Sequence, residues 1–355
     1  MAAEQSAYAA AGVDIVAGDR AVELMKASVA ASHRPEVLGG LGGFAGFFDA
    51  SALARYRRPV LATSTDGVGT KVAIAQAMGV YDTIGWDLVG MLVDDLVVTG
   101  AEPLFVTDYI ACGKVFPERI AAIVGGIAAA CTAAGAALLG GETAEHPGLL
   151  EPEEFDIAGA TTGVVEYDRI LGADRVRPGD AVLALASSGL HSNGYSLVRH
   201  VIASAGWELD RDVPELDRTL GEELLTPTRV YAKDLLAIID AVEVHSISHI
   251  TGGGLANNLV RVLPDGVVAD LDRASWTPPA VFGLVQDLGR ISQPDVEATL
   301  NQGVGMALVL PESSVATASR LAGQAGIASW VLGGIRPEPG APARVELHGE
   351  HPLRG

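Results

Sequence analysis

Three times along this chain, a run typical of a buried strand passes through a short polar loop into a run typical of a helix. The loops are DGVGT (66–70), SSGLHSNG (187–194) and TGGG (251–254). Each unit directs unpaired backbone N–H groups and the positive end of a helix dipole at one point, which suits a phosphate or another anion. One such loop is explained equally well as a tight turn, but three of them favour a phosphate-rich ligand.

Strand-like and helix-like runs alternate along most of the 355 residues, which predicts a fold of the α/β or α+β class. This length exceeds one ordinary core, so we expect two domains. The run YDRILGADRVRPGD (167–180) has little apolar periodicity and a Pro-Gly turn, and we place the boundary there. We expect an N-terminal domain over 1–170, a C-terminal α/β domain over 171–340 and a partly loose tail over 341–355.

The net charge of the chain limits the kinds of partner that we expect it to bind. Acidic residues outnumber basic ones by 44 to 24, which gives a formal net charge of −20. Proteins that bind nucleic acids need basic patches that displace counterions from phosphates, so we do not expect a nucleic-acid partner. Local positive charge or backbone N–H groups must then hold any anionic ligand.

The number of cysteines and the apolar segments indicate the cellular compartment of the protein. Two cysteines, Cys112 and Cys131, cannot form a disulfide framework in a chain of this size, which favours a reducing, cytoplasmic compartment. The start, MAAEQSAYAAAGVDI, has no basic segment ahead of an apolar one, so we predict no signal peptide. The uncharged segment 120–141 is rich in Ala and Gly, and we predict a soluble helix followed by a short buried strand rather than a membrane span.

The loop GGLGGFAG (39–46) contains a GxGxxA match, but no clear strand precedes it, so it is a weak dinucleotide-binding signal. The sequence has no GxxxxGK[ST] motif, which excludes a Walker-A ATPase. A loop with so many glycines is not rigid by itself. We interpret it as a mobile lid that orders over a ligand.

Carboxylates near these loops suggest a metal site. The run from Thr83 to Thr99 is helical in pattern, and Asp95 falls within its apolar stripe, so we expect its side chain to face inward. Asp66 follows a strand directly, and Glu142 follows the strand-like run ALLGG. Together these three side chains form a plausible oxygen ligand set for Mg²⁺. The alternative for Asp95 is a buried residue that caps a neighbouring loop.

Lysine and histidine add candidate polar contacts. Lys71 begins the helix after DGVGT, where its ammonium group can meet a phosphate, although most lysines are simply solvated. His191 lies within SSGLHSNG, and His249 lies just before TGGG. A histidine in such a loop can bind phosphate or act as an acid or base near pH 7.

Taken together and in this order, the motifs closely resemble the phosphoribosylformylglycinamidine cyclo-ligase family, the aminoimidazole ribonucleotide synthetases of purine biosynthesis. The resemblance extends to about residue 335, and the SGxHSNGYSLVR run is highly specific. The matching stretches are AGVDI (11–15), RPEVLGGLGGF (34–44), TDGVGTK (65–71), GAEPLFVTDY (100–109), GGETAEHPG (140–148), SSGLHSNGYSLVR (187–199), LLTPTRVYAK (224–233), HITGGGLANNL (249–259) and GVGMAL (303–308).

The resemblance implies a two-domain α/β protomer whose N-terminal domain forms a β-barrel across a homodimer. It also implies a small ribonucleotide substrate, with ATP and Mg²⁺. ATP would phosphorylate the formamide oxygen of formylglycinamidine ribonucleotide, and the amidine nitrogen would then close the imidazole ring and expel phosphate. No membrane partner is implied.

Residue roles follow from the same resemblance. The implied catalytic residues are Asp66, Asp95, His191 and His249. Metal ligands would be Asp66, Asp95 and Glu142. ATP would be bound by Lys26, Gly40, Gly42, Gly43, Phe44, Gly67, Gly69, Thr70, Lys71 and Glu142. The substrate would be bound by Ser188, Ser192, Asn193, Gly194, Thr251, Gly252, Gly253 and Gly254.

Two other readings of the sequence stay open. One is different chemistry in the same superfamily, such as a selenophosphate synthetase or a thiamine-monophosphate kinase. The N-terminal reactive cysteine of the selenium enzyme is missing, since the first cysteine is Cys112. The other is a non-catalytic nucleotide-binding regulator, which would not need inward carboxylates.

The chain departs from the family pattern at Asp94-Asp95, where Asn-Asp is expected.

Overall fold

The computed structural model describes residues 13–40 and 42–352. Outside the described residues lie 1–12, which cover most of the segment where we predict no signal peptide. Leu41 of the predicted lid and residues 353–355 of the predicted tail are outside them as well.

The first half of the chain builds a four-stranded sheet covered on one face by helices, and a separate two-stranded sheet that precedes it in the chain. Its elements are α1 (Ile15–Ser32), β1 (Val37–Leu38), β2 (Phe47–Phe48), β3 (Pro59–Gly67), α2 (Val72–Met78), α3 (Ile84–Val97), β4 (Glu102–Cys112), α4 (Pro117–Ala134), β5 (Ala137–Glu145) and β6 (Phe155–Glu166). The sheet has the order β3-β6-β4-β5, in which β5 runs parallel to β4 and the other neighbours are antiparallel. Strands β3 and β5 are therefore its two edges.

The second half builds a six-stranded mixed sheet. Its elements are β7 (Asp180–Ala186), α5 (Tyr195–Ala205), β8 (Asp212–Val213), β9 (Arg218–Thr219), α6 (Leu220–Leu224), α7 (Ala232–Ala241), β10 (Ser246–His249), α8 (Gly254–Leu259), β11 (Val267–Asp272), α9 (Ala280–Gly289), α10 (Gln293–Glu297), β12 (Val304–Pro311), α11 (Glu312–Gln324), β13 (Ser329–Pro337) and β14 (Arg344–His348). The strand order is β10-β12-β7-β13-β11-β14. Segment 167–179 joins the two sheets.

The end of the chain is more ordered than its Pro/Gly content indicates. Residues 344–348, which the sequence analysis places in a loose tail, form the edge strand β14 and pair in parallel with β11. Arg344 and Glu346 also form ion pairs with Glu338 and Arg336, at the end of β13 on the far side of β11. Backbone pairing and side-chain charge together hold this segment, and neither is visible in local composition.

Most of helix α4 and the start of strand β5 occupy segment 120–141, as predicted, but β5 is nine residues long and only Ala137 and Leu138 in it are buried. Pro117 occupies the first turn and Gly135 ends the helix with a φ of 79°, as expected for a proline start and a glycine stop. By length and composition alone the helix could cross a membrane. However, 56% of its residues are buried inside the protein, among them the free cysteine Cys131, as in a core helix.

Helix α3 is the centre of the first half. Twelve of its fourteen residues are buried, and the exceptions are Trp86 and Asp95. The helix packs on the sheet, on α4 and on α7 of the second half. Because neighbours cover it on nearly every side, its apolar stripe does not distinguish the core side from the site side.

Candidate functional site

Loop 66–70 leaves the edge strand β3 and faces the second half of the chain. Asp66 is half-buried, and one carboxylate oxygen accepts a hydrogen bond from Gly67 N at 2.7 Å. Burial raises the pKa of Asp66, the nearby charge of Asp95 raises it further, and His249 acts in the opposite direction. Asp66, Asp95 and His249 therefore share one environment, although they come from three separate segments.

The inward orientation predicted for Asp95 is wrong. Its side chain is 43% exposed, whereas the carboxylates of Asp87 and Asp94 on the same helix are fully buried. Asp95 Oδ1 lies 2.8 Å from Nδ1 of His249, which ends strand β10. The carboxylate therefore faces the cleft between the two halves, where it is free to bind a ligand.

The predicted set of three magnesium ligands is not assembled within one chain. Asp66 lies on β3 and Glu142 on β5, the opposite edges of the four-stranded sheet. Their side chains also lie on opposite faces of the sheet. Asp66 is at the same register position as Asp108, and Glu142 is at the same register position as Tyr109. Because Asp108 and Tyr109 are successive residues of β4, they point to opposite faces. Within residues 13–40 and 42–352, no three His, Cys, Asp or Glu side chains are grouped closely enough to hold a metal ion.

Lys71 also differs from its expected role. Its side chain is fully buried, and its ammonium group donates to Asp87 Oδ1 at 2.8 Å, to His191 O at 3.0 Å and to Thr226 O at 2.7 Å. All three N–H donors are thereby used, so none is left for a phosphate. The helix start was recognised correctly, but the side chain points into the interface between the halves instead of into the loop.

Loop 187–194 presses against loop 66–70. Ser192 Oγ donates to Val68 O at 2.6 Å, and Thr70 Oγ1 lies 3.2 Å from Ser196 Oγ. Asn193 reaches toward α3, with its amide nitrogen 3.4 Å from Met91 Sδ. Ser188 Oγ donates to a backbone carbonyl of the second half and so does not face the first.

His191 lies at the centre of this loop, with an unusual left-handed backbone (φ 61°) and almost no exposure. Its Nε2 accepts a hydrogen bond from Ser188 N at 3.1 Å, while Nδ1 is buried without a partner among the described residues. Burial holds the pKa of His191 well below its usual value, and the nearby His249 and Lys71 lower it further. The ring is therefore neutral at pH 7.

Loop 251–254 is held by a residue that the sequence analysis missed. Asn258 Nδ2 donates to the carbonyls of Thr251 (3.3 Å), Gly252 (3.2 Å) and Gly254 (2.8 Å). Gly254 has a φ of 69° and packs directly on the carbonyl of Glu297, so no side chain fits there. A buried asparagine one turn after a glycine loop was the available signal, since its amide can tie the loop carbonyls together.

Two other missed residues, Asp87 and Asp94, lie on α3 and bind the second half. Asp87 Oδ1 accepts from Thr228 N at 2.9 Å and from Thr228 Oγ1 at 2.6 Å. Asp94 accepts from Tyr231 N at 3.0 Å, and burial raises its pKa well above the usual range. Two further acids in an apolar helix were the signal in the sequence.

Glycine loop 39–46 connects β1 to β2 and lies over a separate cavity. The cavity has a volume of about 290 Å³, and its walls come mainly from α1 and β5, with Gly42 and Gly43 of the loop and single residues of β4 and α4. Asp108 lines it, and burial raises the pKa of that carboxyl to about 7. Phe44 is fully exposed. The apolar part of the wall comprises Ala21, Val22, Met25, Val29, Val115, Val124 and Leu138.

The predicted nucleotide-binding residues Lys26 and Glu142 lie at this second location rather than at the cleft. Lys26 is on α1, directly after the lining residue Met25, and its ammonium group pairs with Glu23 on the surface. Gly140 and Glu142 contribute to the wall from β5. The predicted nucleotide residues therefore fall into two groups, one at each edge of the four-stranded sheet.

The two halves and the loops between them define a class of protein. Models of the N-terminal and C-terminal domains of AIR synthase related protein match residues 49–165 and 177–345. The fold resembles a thiamine-monophosphate kinase from Stenotrophomonas maltophilia K279a, with a TM-score of 0.68 and 19% identity over 94% of this chain and 97% of that one. It also resembles the hydrogenase maturation protein HypE in complex with ATP, with a TM-score of 0.61 and 21% identity over 95% and 93% of the two chains.

Sequence identity then separates the family within that class. The phosphoribosylformylglycinamidine cyclo-ligase of Geobacillus sp. (strain WCH70) is 48% identical over 335 residues, which cover 94% of this chain and 96% of the relative. The chain belongs to the phosphoribosylformylglycinamidine cyclo-ligase family. This agrees with the resemblance seen in the sequence motifs and favours it over the kinase and selenophosphate alternatives.

Proposed function

We propose that the cleft between loops 66–70, 187–194 and 251–254 converts formylglycinamidine ribonucleotide and ATP to aminoimidazole ribonucleotide, ADP and phosphate. The observation that carries this proposal is the meeting of Asp66 and Asp95 of the first half with His249 of the second. Family membership supports the reaction, and the ATP complex of a structural neighbour supports the nucleotide.

The chemistry needs a good leaving group and close positioning. A formamide oxygen leaves poorly, but once ATP has phosphorylated it, the amidine nitrogen can close the ring and expel phosphate. Positioning and electrostatic stabilisation supply most of the rate enhancement in such transfers. Glycine loops that expose backbone N–H groups at the cleft suit a phosphorylated substrate.

Asp66 and Asp95 would hold Mg²⁺. Their oxygens are hard ligands of the kind that magnesium prefers, and their mutual repulsion, which helps to raise the pKa of Asp66, falls when a cation binds between them. When bound, the metal neutralises charge that develops on the transferring phosphoryl group. The two carboxylates orient it, while His249 orients Asp95 from the other half.

His191 and His249 would contact the ribonucleotide. Each has one ring nitrogen that is buried without a partner among the described residues, Nδ1 in His191 and Nε2 in His249. An unpaired buried nitrogen costs free energy until a ligand satisfies it. The neutral ring of His191 is suited to hydrogen bonding rather than to charge pairing.

The cavity beside loop 39–46 would receive the base of ATP. It is mainly apolar, and Asp108 supplies an acceptor that can pair with an exocyclic amine. Gly141 gives this carboxylate room, since a Cβ there would lie 2.2 Å from Asp108 Oδ1. Loop 39–46 would act as the lid, with Phe44 closing over the nucleotide.

A homodimer would connect this cavity to the cleft. In one chain the two locations lie at opposite edges of the sheet, on β5 and β3. If two copies of the sheet close edge to edge into a barrel, β5 of one copy lies beside β3 of the other. The sheet face opposite the helices, with Leu61 62% exposed and Tyr109 42% exposed, would then line the barrel interior.

The test is a coupled assay with purified protein. Formylglycinamidine ribonucleotide and Mg·ATP should give ADP, phosphate and aminoimidazole ribonucleotide in equal amounts. Thiamine monophosphate is the control substrate, because a kinase of the same class would phosphorylate it. ATP turnover with thiamine monophosphate and none with the amidine would overturn the proposal. A cytoplasmic location and a domain boundary at 170/171 are part of the same proposal.

A further inference from the structure

The buried pair of Lys71 and Asp87 has no role in the reaction described above. Both side chains have no exposed surface, and their charged atoms are 2.8 Å apart. Removing two charges from water costs free energy, and the attraction between them rarely returns a large surplus. A pair of this kind is therefore weak as a source of stability and needs another explanation.

The hydrogen-bond partners of Lys71 and Asp87 indicate what the pair does. Lys71 and Asp87 both belong to the first half, but most of their other hydrogen bonds cross to the second half. Lys71 Nζ donates to the carbonyls of His191 and Thr226, and Thr228 donates to Asp87 through both its backbone and its hydroxyl group. The pair is thus a buried bridge between the halves.

The bridge between Lys71 and Asp87 contacts loop 187–194 at His191, whose backbone is left-handed. His191 has a φ of 61°, and a left-handed backbone is unfavourable for a non-glycine residue. Its carbonyl is held by Lys71, and the next residue, Ser192, donates to Val68 O. Val68 lies in loop 66–70 and Lys71 directly follows that loop, so the segment after Asp66 is joined to loop 187–194 at two points.

Other groups around Lys71 and Asp87 also hold the ammonium group of Lys71 in place. The ring of Tyr195 lies 5.4 Å from Lys71 Nζ, and its hydroxyl donates to Leu224 O. Glu223 is near enough to act on the charge of Lys71. Apart from Asp87, the ammonium group is therefore enclosed by groups of the second half, and all three of its donors are satisfied.

We propose that Lys71 and Asp87 are positioning residues, which fix the loop that carries His191 against the loop that carries Asp66. The inference rests on the proposed function, because it assigns the two loops to the same reaction. It replaces the phosphate contact expected of Lys71 with a role at the carbonyl of His191.

The test compares Lys71→Met with the double variant Lys71→Met/Asp87→Leu. The single variant leaves a buried carboxylate uncompensated and should lose stability, whereas the double variant should regain stability. If the pair positions the loops, kcat should stay about 100-fold low in both, with a smaller change in KM, as a misplacement of about 1 Å produces. Recovery of kcat together with stability would show a merely structural role and overturn the proposal.

Hydrogen exchange supplies a readout that does not depend on turnover. Residues 187–195 should exchange faster in the double variant than in the wild type, and unchanged exchange would contradict the proposal. If the wild type lacks cyclo-ligase activity, the proposed function fails, but the exchange comparison still tests the bridge. Thr228→Val removes only one hydrogen bond to Asp87 and should lower kcat less, so it gives a result even if the Lys71 variants do not fold.

Lys233→Met is the matched control. Lys233 also joins the halves, since its Nζ donates to Thr132 O at 2.8 Å, but the residue is exposed and its partner is at the end of α4. Its removal should leave kcat and the exchange of residues 187–195 unchanged. An equal effect of Lys233→Met would mean that any link between the halves matters, which would overturn a specific role for Lys71.

Discussion

His249 Nδ1 and Asp95 Oδ1 lie 2.8 Å apart, although the two residues are separated by 154 positions in the chain. With the proton on Nδ1 donated to Asp95, the ring presents Nε2 as a lone-pair acceptor, and that nitrogen has no partner among the described residues. This contact therefore joins the two halves, orients the carboxylate of Asp95 and determines which nitrogen of the His249 ring is left to accept a hydrogen bond. The first prediction concerns this carboxylate.

Asp95→Asn should lower kcat by about 100-fold or more while the fold persists, because an amide does not compensate the charge of a metal ion. The side chain is partly exposed, so little packing is lost. Steady-state kinetics and binding of Mn²⁺, followed by its paramagnetic resonance, measure the effect. Asp94→Asn is the matched control, because an asparagine oxygen can still accept from Tyr231 N. Equal losses in both variants would contradict a metal role for Asp95.

Asp108→Asn should raise the KM for ATP about tenfold, which corresponds to about 1.4 kcal/mol of binding free energy. The amide can still fill the space beside Gly141, but it offers a weaker acceptor to an exocyclic amine. Calorimetric binding of a non-hydrolysable ATP analogue separates affinity from turnover. Tyr109→Phe, on the other face of the sheet, serves as the control. An unchanged ATP affinity in Asp108→Asn would place the base elsewhere.

Leu61→Glu should convert a dimer into monomers and abolish most of the turnover. Leu61 is exposed on edge strand β3, on the face that would line the barrel, and a buried unpaired carboxylate there is costly. Light scattering coupled to size exclusion measures the mass. Val331→Glu places the same charge at an exposed apolar residue of the second half and should leave the mass unchanged. A wild type that is monomeric at assay concentration would rule out the barrel.

Stability should fall below pH 4.5 through Glu297. Burial alone would raise the pKa of this carboxyl, but hydrogen bonds from Arg273 and Gln293, together with the nearby ring of His351, outweigh it and lower the pKa to about 2. A pKa that is lower in the folded state adds stability above the unfolded value near 4.5, and this stability is lost as the pH falls toward 2. The scale is about 1.4 kcal/mol per pKa unit.

Urea unfolding between pH 7 and pH 3 measures this loss. Glu297→Gln should remove the contribution of Glu297 to the acid dependence, so the stabilities of the variant and the wild type should converge at low pH. Glu215→Gln, a change at an exposed residue, should leave the pH dependence as it is in the wild type. A wild-type pH dependence in Glu297→Gln would assign the acid sensitivity to other carboxylates.

Much of the fold and the family could be predicted from local pattern. The proline start and the glycine stop of α4 are local signals, since Pro117 occupies the first turn and Gly135 ends the helix. The glycine loops at 66–70, 187–194 and 251–254 are also local, because a turn of that kind requires particular residues at particular positions. Their order along the chain was enough to recognise the family that the relatives confirm.

The direction in which a side chain points could not be predicted in the same way. Asp95 was expected to face inward, yet it is Asp87 and Asp94 that are buried, because the second half covers the side of α3 that a lone helix would expose to water. Lys71 was expected at a phosphate, but carbonyls of the second half surround it.

The amino-acid sequence by itself determined the alternation of strands and helices, the glycine turns and the supply of carboxylates and histidines at the loops. Only the tertiary structure decided which of those groups meet, since Asp95 and His249 come together while Glu142 lies at the far edge of the sheet. The physical reason is that turns and helix ends depend on a few neighbouring residues, whereas burial and charge pairing depend on surfaces that distant segments bring together.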